Sequence, residues 1–140
     1  MTNWDVLIVG AGQAGCAAAW DLAAAGLRVA VISRPLSRGK PCAGGVTEKA
    51  VARYRFSIAP VVREAVTSLA VSHPSSPVRH LSTATTFCVM TERAELDAFC
   101  CGQAEQQGAV FHETGGLRGI EQRADYVRIE TREGLSLIHI

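Results

Sequence analysis

Aromatic residues are scarce in this 140-residue chain: two Trp, two Tyr and four Phe amount to 6% of it. So thin a set offers no surface on which bases could stack. An excess of charge is lacking too. Fourteen Lys and Arg against thirteen Asp and Glu leave a net charge of +1, which removes the electrostatic case for nucleic acid as a partner. No apolar run reaches the roughly 18 residues that a membrane-spanning helix requires. The chain enters an apolar segment at once, without the basic stretch and cleavage signal of a secreted precursor. Its five cysteines form no paired framework, which points to a reducing, cytoplasmic setting. None of them stands at zinc-site spacing from His73, His80, His112 or His139, so no metal is expected. The length suits one domain.

What the chain does have is glycine in a particular order. Val6-Leu7-Ile8-Val9-Gly10-Ala11-Gly12-Gln13-Ala14-Gly15 sets a G-x-G-x-x-G pattern between an apolar strand, Trp4 to Val9, and an alanine-rich helix, Ala14 to Ala25. In that context the pattern reads as a dinucleotide-binding turn. Gly10 lets the chain leave the strand sharply, Gly12 lets the backbone approach a pyrophosphate, and Gly15 lets the helix lie close on the strand. The free N–H groups at the helix start, with the helix dipole behind them, favour phosphate. Gly26 then ends the helix as a C′ residue should, and Arg28 to Ile32 supplies a second β-branched strand. The predicted fold class is therefore α/β, a Rossmann-like FAD/NAD(P)-binding βαβ fold.

The end of the second strand departs from the usual pattern. An acidic residue is expected about 20 residues past the glycines to hold the ribose hydroxyls. This chain has Ser33 followed by Arg34. Either Ser33 is a weaker ribose contact in a flavin site, or Ser33 and Arg34 accommodate a 2′-phosphate. The following segment favours the first reading.

That segment, Arg38-Gly39-Lys40-Pro41-Cys42-Ala43-Gly44-Gly45-Val46, resembles the R-G-K-P-C-x-G-G loop of the geranylgeranyl reductase family of FAD-dependent oxidoreductases, within the para-hydroxybenzoate hydroxylase-like flavoprotein group. A second resemblance lies at Met90 to Asp97, similar to the family's R-A-x-[FL]-D stretch at a helix start, with a Gly108-Ala109 turn beyond it. Three ordered motifs are more specific than one, and the likeness covers about residues 4–134. It implies that Cys42, Ala43 and Gly45 touch FAD, that Cys42 modulates turnover, that Arg93 reaches the cofactor, and that the backbone at Leu117 meets the adenine. The residues themselves leave alternatives. The Arg38 and Lys40 charges favour a Cys42 thiolate, yet Cys42 also suits a small apolar filler. Arg93, in the first turn of a helix capped by Thr91, either serves an anion or pairs with Asp97 four residues on.

Elsewhere the pattern predicts a short helix from Thr47 to Arg55, a helical turn over Val61 to Val66, and β segments at Leu69–Ser72, Val78–Leu81 and Thr86–Met90. Leu96, Phe99, Cys100 and Ala104 form the apolar stripe of the Arg93 helix, with Cys100 and Cys101 as core or groove residues. Ala109–His112 reads as the third parallel strand. Leu117–Gln122 and Tyr126–Thr131 read as a hairpin, part of an antiparallel β segment inserted in the fold.

Residues 1–134 are accordingly read as the N-terminal part of a truncated FAD-binding domain. Leu135 to Ile140 is read as a non-native tail, resembling translated adapter sequence, with an ordinary apolar strand as the alternative. The resemblance implies reduction of isoprenoid carbon–carbon double bonds through reduced flavin, with NAD(P)H as a candidate reductant and peripheral membrane contact as a further expectation. An aromatic monooxygenase or halogenase, and an inactive nucleotide-binding fragment, are the alternatives.

Overall fold

The computed structural model describes residues 3–35 and 42–139, and for 135–139 the backbone alone. In chain order the elements begin with strands β1 (Asn3–Trp4) and β2 (Val6–Val9), helix α1 (Gln13–Ala24) and strand β3 (Val29–Ser33). Strand β4 (Gly45–Thr47), helix α2 (Glu48–Val51), a 3₁₀ turn (Ala59–Val61) and strand β5 (Val62–Val66) follow. Next come β6 (Ser68–His73), β7 (Ser76–Ser82), β8 (Cys88–Thr91) and helix α3 (Arg93–Gln106). Strands β9 (Val110–Glu113), β10 (Leu117–Gln122), β11 (Tyr126–Thr131) and β12 (Leu135–His139) complete the chain. These elements form two compact units, one from Met1–Gly39 with Asp97–Ile140 and one from Lys40–Leu96.

The first unit holds a three-stranded parallel sheet in the order β2-β3-β9. Val29, Ala30, Val31 and Ile32 are buried along the middle strand, as expected of a strand covered on both faces. Helix α1 lays Cys16, Ala19 and Ala23 into the core, at the three- and four-residue spacing that puts side chains on one face. Its end is closed by a Schellman pair: the Gly26 N–H donates to the Ala23 carbonyl and the Leu27 N–H to the Leu22 carbonyl. Gly26 has φ +85°, which only glycine adopts without strain.

Asp5 splits the first strand in two. The Asp5 and Val6 amides both donate to the Arg28 carbonyl, while the Arg28 amide and guanidinium grip the Asp5 carboxylate at 2.7–3.1 Å. β1 on one side of this clasp joins a second sheet, ordered β1-β12-β11-β10, and β2 on the other joins the parallel sheet. The hairpin of β10 and β11 forms where expected, closed by the Arg123 amide on the Tyr126 carbonyl. The backbone of Leu135–His139 pairs with both β11 and β1.

The second unit contains the antiparallel sheet β4-β8-β5 and the separate hairpin β6-β7. Two expectations are corrected in it. Val62–Val66 is a strand, not a helical turn. Val-Arg-Glu-Ala-Val carries valines four apart, which suits either period, and pairing with β8 decides for the strand. Helix α2 also stops at Val51, short of Arg55, and Thr47 caps it by accepting from the Ala50 amide at 3.3 Å.

Candidate functional site

The turn between β2 and α1 is built as its glycines require. Gly10 has φ +107°, and its amide donates to the Ile32 carbonyl at 2.8 Å, tying the turn to the end of β3. A Cβ on Gly15 would come within 1.9 Å of the Gly10 carbonyl oxygen, so the helix could not approach so closely with any other residue there. Gly12 takes the cap position in extended conformation and brings no capping side chain. The first turn of α1 contains no acidic residue either. The positive end of this helix therefore has no carboxylate of its own first turn beside it, an arrangement matched to an anionic ligand. Together with the close approach at Gly15, this is a cradle that suits a dinucleotide pyrophosphate. Ala11 is buried under the turn, while Gln13 is half-buried and Ala14 exposed.

The side chain of Gln13 points the other way. Its Nε2 donates to Asp97 Oδ1 at 2.7 Å, and its Oε1 accepts from the Cys100 thiol at 3.3 Å. Asp97 is only 4% exposed, so this bond satisfies a carboxylate inside the protein. The last residue of the R-A-x-L-D stretch thus braces the glycine turn through Gln13. The motif draws attention to Arg93, with Asp97 as its partner; the contact to Gln13, 84 residues away, is invisible in the spacing.

At the far end of β3, Ser33 is half-buried and Arg34 exposed. The Ser33 carbonyl accepts from the Thr114 amide, and Ser33 stands in register with Glu113 on β9. Residues in register on adjacent strands project from the same face. A carboxylate, that of the exposed Glu113, therefore lies one strand over on the same face as Ser33, at a position that no motif in the sequence marks. Leu117 opens β10, half-buried and paired with Thr131, after Gly116 at φ +139°.

In the second unit, Cys42 and Arg93 come together: the Arg93 guanidinium donates to Cys42 Sγ at 3.4 Å. The neighbouring Arg38 and Lys40 lie outside the described residues. Ala43 and Gly45 are exposed, and Gly45 pairs with Met90. Thr91 does not cap α3, contrary to the expectation from its side chain. It ends β8, and both its amide and its hydroxyl donate to the Gly44 carbonyl, at 2.9 and 2.8 Å. Glu92 takes the cap position, its carbonyl accepting from the Leu96 amide. Gly44 has φ +75°, and a Cβ there would lie 1.8 Å from the Thr91 oxygen. The Gly44-Gly45 pair is thus fixed by a backbone-to-backbone approach at Thr91.

A sequence profile described as "FAD binding domain" matches residues 5–119. An uncharacterised protein of Methanosarcina barkeri is 38% identical over 112 residues, covering 79% of this chain and 29% of that protein. Geranylgeranyl diphosphate reductase of Rhodobacter capsulatus is 31% identical over 107 residues, covering 76% of this chain and 27% of that protein. The chain therefore spans less than a third of the length of these curated relatives. Among solved structures, a geranylgeranyl bacteriochlorophyll reductase-like protein from Thermoplasma acidophilum superposes with TM-score 0.78 at 20% identity, covering 99% of this chain and 38% of that one. The p-nitrophenol 4-monooxygenase of Pseudomonas putida gives the same TM-score at 18% identity, covering 97% and 38%. A halogenase solved with phloroglucinol and FAD gives 0.70 at 15% identity, covering 98% and 33%. These likenesses establish the fold.

Proposed function

The chain belongs to the FAD-binding-domain family, and from that premise we propose that the whole protein is an FAD-dependent oxidoreductase that reduces carbon–carbon double bonds of isoprenoid chains. The observation that carries the cofactor is the Gly10–Gly15 turn, where a Cβ on residue 15 would lie 1.9 Å from the Gly10 oxygen. Similarity to the Rhodobacter reductase supports the substrate class. FAD, when bound, supplies the hydride chemistry.

In this reading the backbone amides of Gly12 to Gly15 hold the pyrophosphate. Ser33 takes a ribose hydroxyl, with Arg34 beside it, and the Leu117 backbone meets the adenine. Arg93 adds positive charge toward the cofactor. Cys42, Ala43 and Gly45 border the flavin ring, and Cys42 modulates turnover without acting as an obligatory acid or base. NAD(P)H is the proposed reductant and the cytoplasm the proposed location. Among the described residues no helix is long and apolar enough to cross a membrane.

A protein extended to its relatives' length is expected to purify with flavin absorbance. Under reducing, anaerobic conditions it should add hydrogen to geranylgeranyl diphosphate, read as a mass gain in steps of two hydrogens. A protein of that length that neither carries flavin nor takes it up refutes the proposal. The equal fold likeness of the p-nitrophenol monooxygenase supports a second reading, an aromatic monooxygenase or halogenase. Oxygen consumption driven by NAD(P)H with a phenolic substrate, and no reduction of the isoprenoid, would select it. Calorimetric titration of residues 1–140 with FAD addresses the inactive-fragment reading: binding weaker than micromolar is expected.

A further inference from the structure

Between α1 and α3, three cysteines gather beneath the glycine turn. Cys16 and Cys101 lie with Sγ atoms 3.2 Å apart although 85 residues separate them in sequence. Both are buried, at 2% and 6% exposure. Cys16 Sγ also reaches the Ala11 carbonyl at 3.6 Å, inside the turn itself. Cys100, next in the chain, faces Gln13 instead. A disulfide needs a sulfur separation of about 2.0 Å, so the pair must close by roughly 1.2 Å, within the reach of side-chain rotation and small backbone adjustment. Each sulfur sits on a helix, which holds the two in mutual reach.

We propose that Cys16 and Cys101 form a reversible dithiol–disulfide site whose oxidised state staples the glycine-turn helix to α3. The order of events follows from the surroundings. The hydrogen bond with Cys101, then burial, push the Cys16 thiol up, and Cys100 and Asp97 act in the same direction. These contacts disfavour Cys16 as the first to lose its proton, so the attacking sulfur is assigned to Cys101. With a peroxide as oxidant, the Cys101 sulfur attacks one oxygen and the O–O bond breaks. The products are a Cys101 sulfenic acid and hydroxide, which is protonated to water. Cys16 then gives up its proton, its sulfur attacks the Cys101 sulfur, the S–S bond forms and the S–O bond breaks, releasing a second water. Two thiols lose two electrons and two protons, and one peroxide becomes two waters. The Cys16 hydrogen bond to Ala11 disappears in the process, so the staple also alters what supports the turn. This site stands independently of the flavin reading.

The test uses the 140-residue chain, reduced, then exposed to hydrogen peroxide, alkylated and digested for mass spectrometry. The expected result is a linked Cys16–Cys101 peptide, a mass lower by two hydrogens, and reversal by dithiothreitol. Oxidation should raise the thermal midpoint by several degrees in the parent and in Cys100→Ser, and leave Cys101→Ser unshifted. Linkage in urea should scramble among all five cysteines. Should the untreated chain melt cooperatively yet keep both thiols alkylatable after peroxide, the proposal fails. It fails equally if the linkage without urea is as mixed as that in urea.

Discussion

Replacing Gly15 by Ala sets two opposing effects against each other, and the structure decides between them. Alanine favours a helix interior over glycine by about 1 kcal/mol. Here its Cβ would lie 1.9 Å from the Gly10 carbonyl oxygen, 3.1 Å from the carbonyl carbon and 3.5 Å from Ile8 Cγ2. The nearest obstacle is backbone, pinned by the Gly10 amide on the Ile32 carbonyl, so no rotamer change relieves it. Turn and helix must part by about 1.3 Å to reach a tolerable contact. Such overpacking costs about 1–3 kcal/mol, at the upper end where backbone is the obstacle. Moving α1 by that distance also stretches the Gln13–Asp97 bond from 2.7 Å past useful length, losing about 1 kcal/mol more. The net expectation is destabilisation by about 3 kcal/mol, a fall in Tm on the order of 10 °C. The matched control is Gly102→Ala, in the interior of α3, where an added Cβ meets nothing within 4 Å. That variant should gain about 0.5–1 kcal/mol. Urea unfolding followed by circular dichroism compares the two directly. If Gly15→Ala is as stable as Gly102→Ala, the close approach of helix and turn is not what the third glycine serves.

The Asp5–Arg28 clasp gives a pH signature. The Arg28 side-chain hydrogen bonds, and then its backbone amide, hold the Asp5 carboxyl at about 2, below its ordinary 3.8. Its stabilising contribution is therefore complete above pH 3.8 and vanishes as the pH falls through about 2. Urea midpoints of Asp5→Asn should lie below the parent at neutral pH and converge with it across that window, with a gap that shrinks in high salt because the pair is exposed. The ribose end offers another test. Ser33→Asp should tighten FAD binding about fivefold and Glu113→Gln weaken it by a similar factor, the margin between a charged and a neutral hydrogen bond. Calorimetric titration with FAD and with NADP⁺ checks this. Loss of NADP⁺ but not FAD affinity in Arg34→Ala would favour the 2′-phosphate reading instead.

Features set by neighbours in sequence are legible in the residues themselves. The Gly10–Gly15 turn, the Gly26 stop, the apolar Val29–Ile32 strand and the hairpin around Arg123-Ala124-Asp125 all follow from local residue chemistry. Features set by distant partners are not. Val62–Val66 fits two periods, and β8, more than twenty residues on, chooses between them. Thr91 has the side chain of a helix cap, but Gly44 claims its hydroxyl. Likewise the Ser33–Glu113 register and the Cys16–Cys101 approach depend on segments meeting across more than half the chain. At the site, glycine positions can be read because backbone geometry constrains them locally, whereas the brace from Asp97 to Gln13 cannot.

The order β2-β3-β9 also bears on how the chain acquires its shape. Strand β3 finds its first neighbour almost at once, across the short loop that α1 fills. Its second neighbour, β9, emerges only after residues 34–109 have been synthesised. Throughout that interval this apolar strand presents an open edge of unpaired amides and carbonyls, the template on which nascent strands of other chains pair. Slow translation or a delayed α3 would lengthen this exposure, so yield in cells should respond to changes far from β3 that alter only how soon Val110–Glu113 arrives.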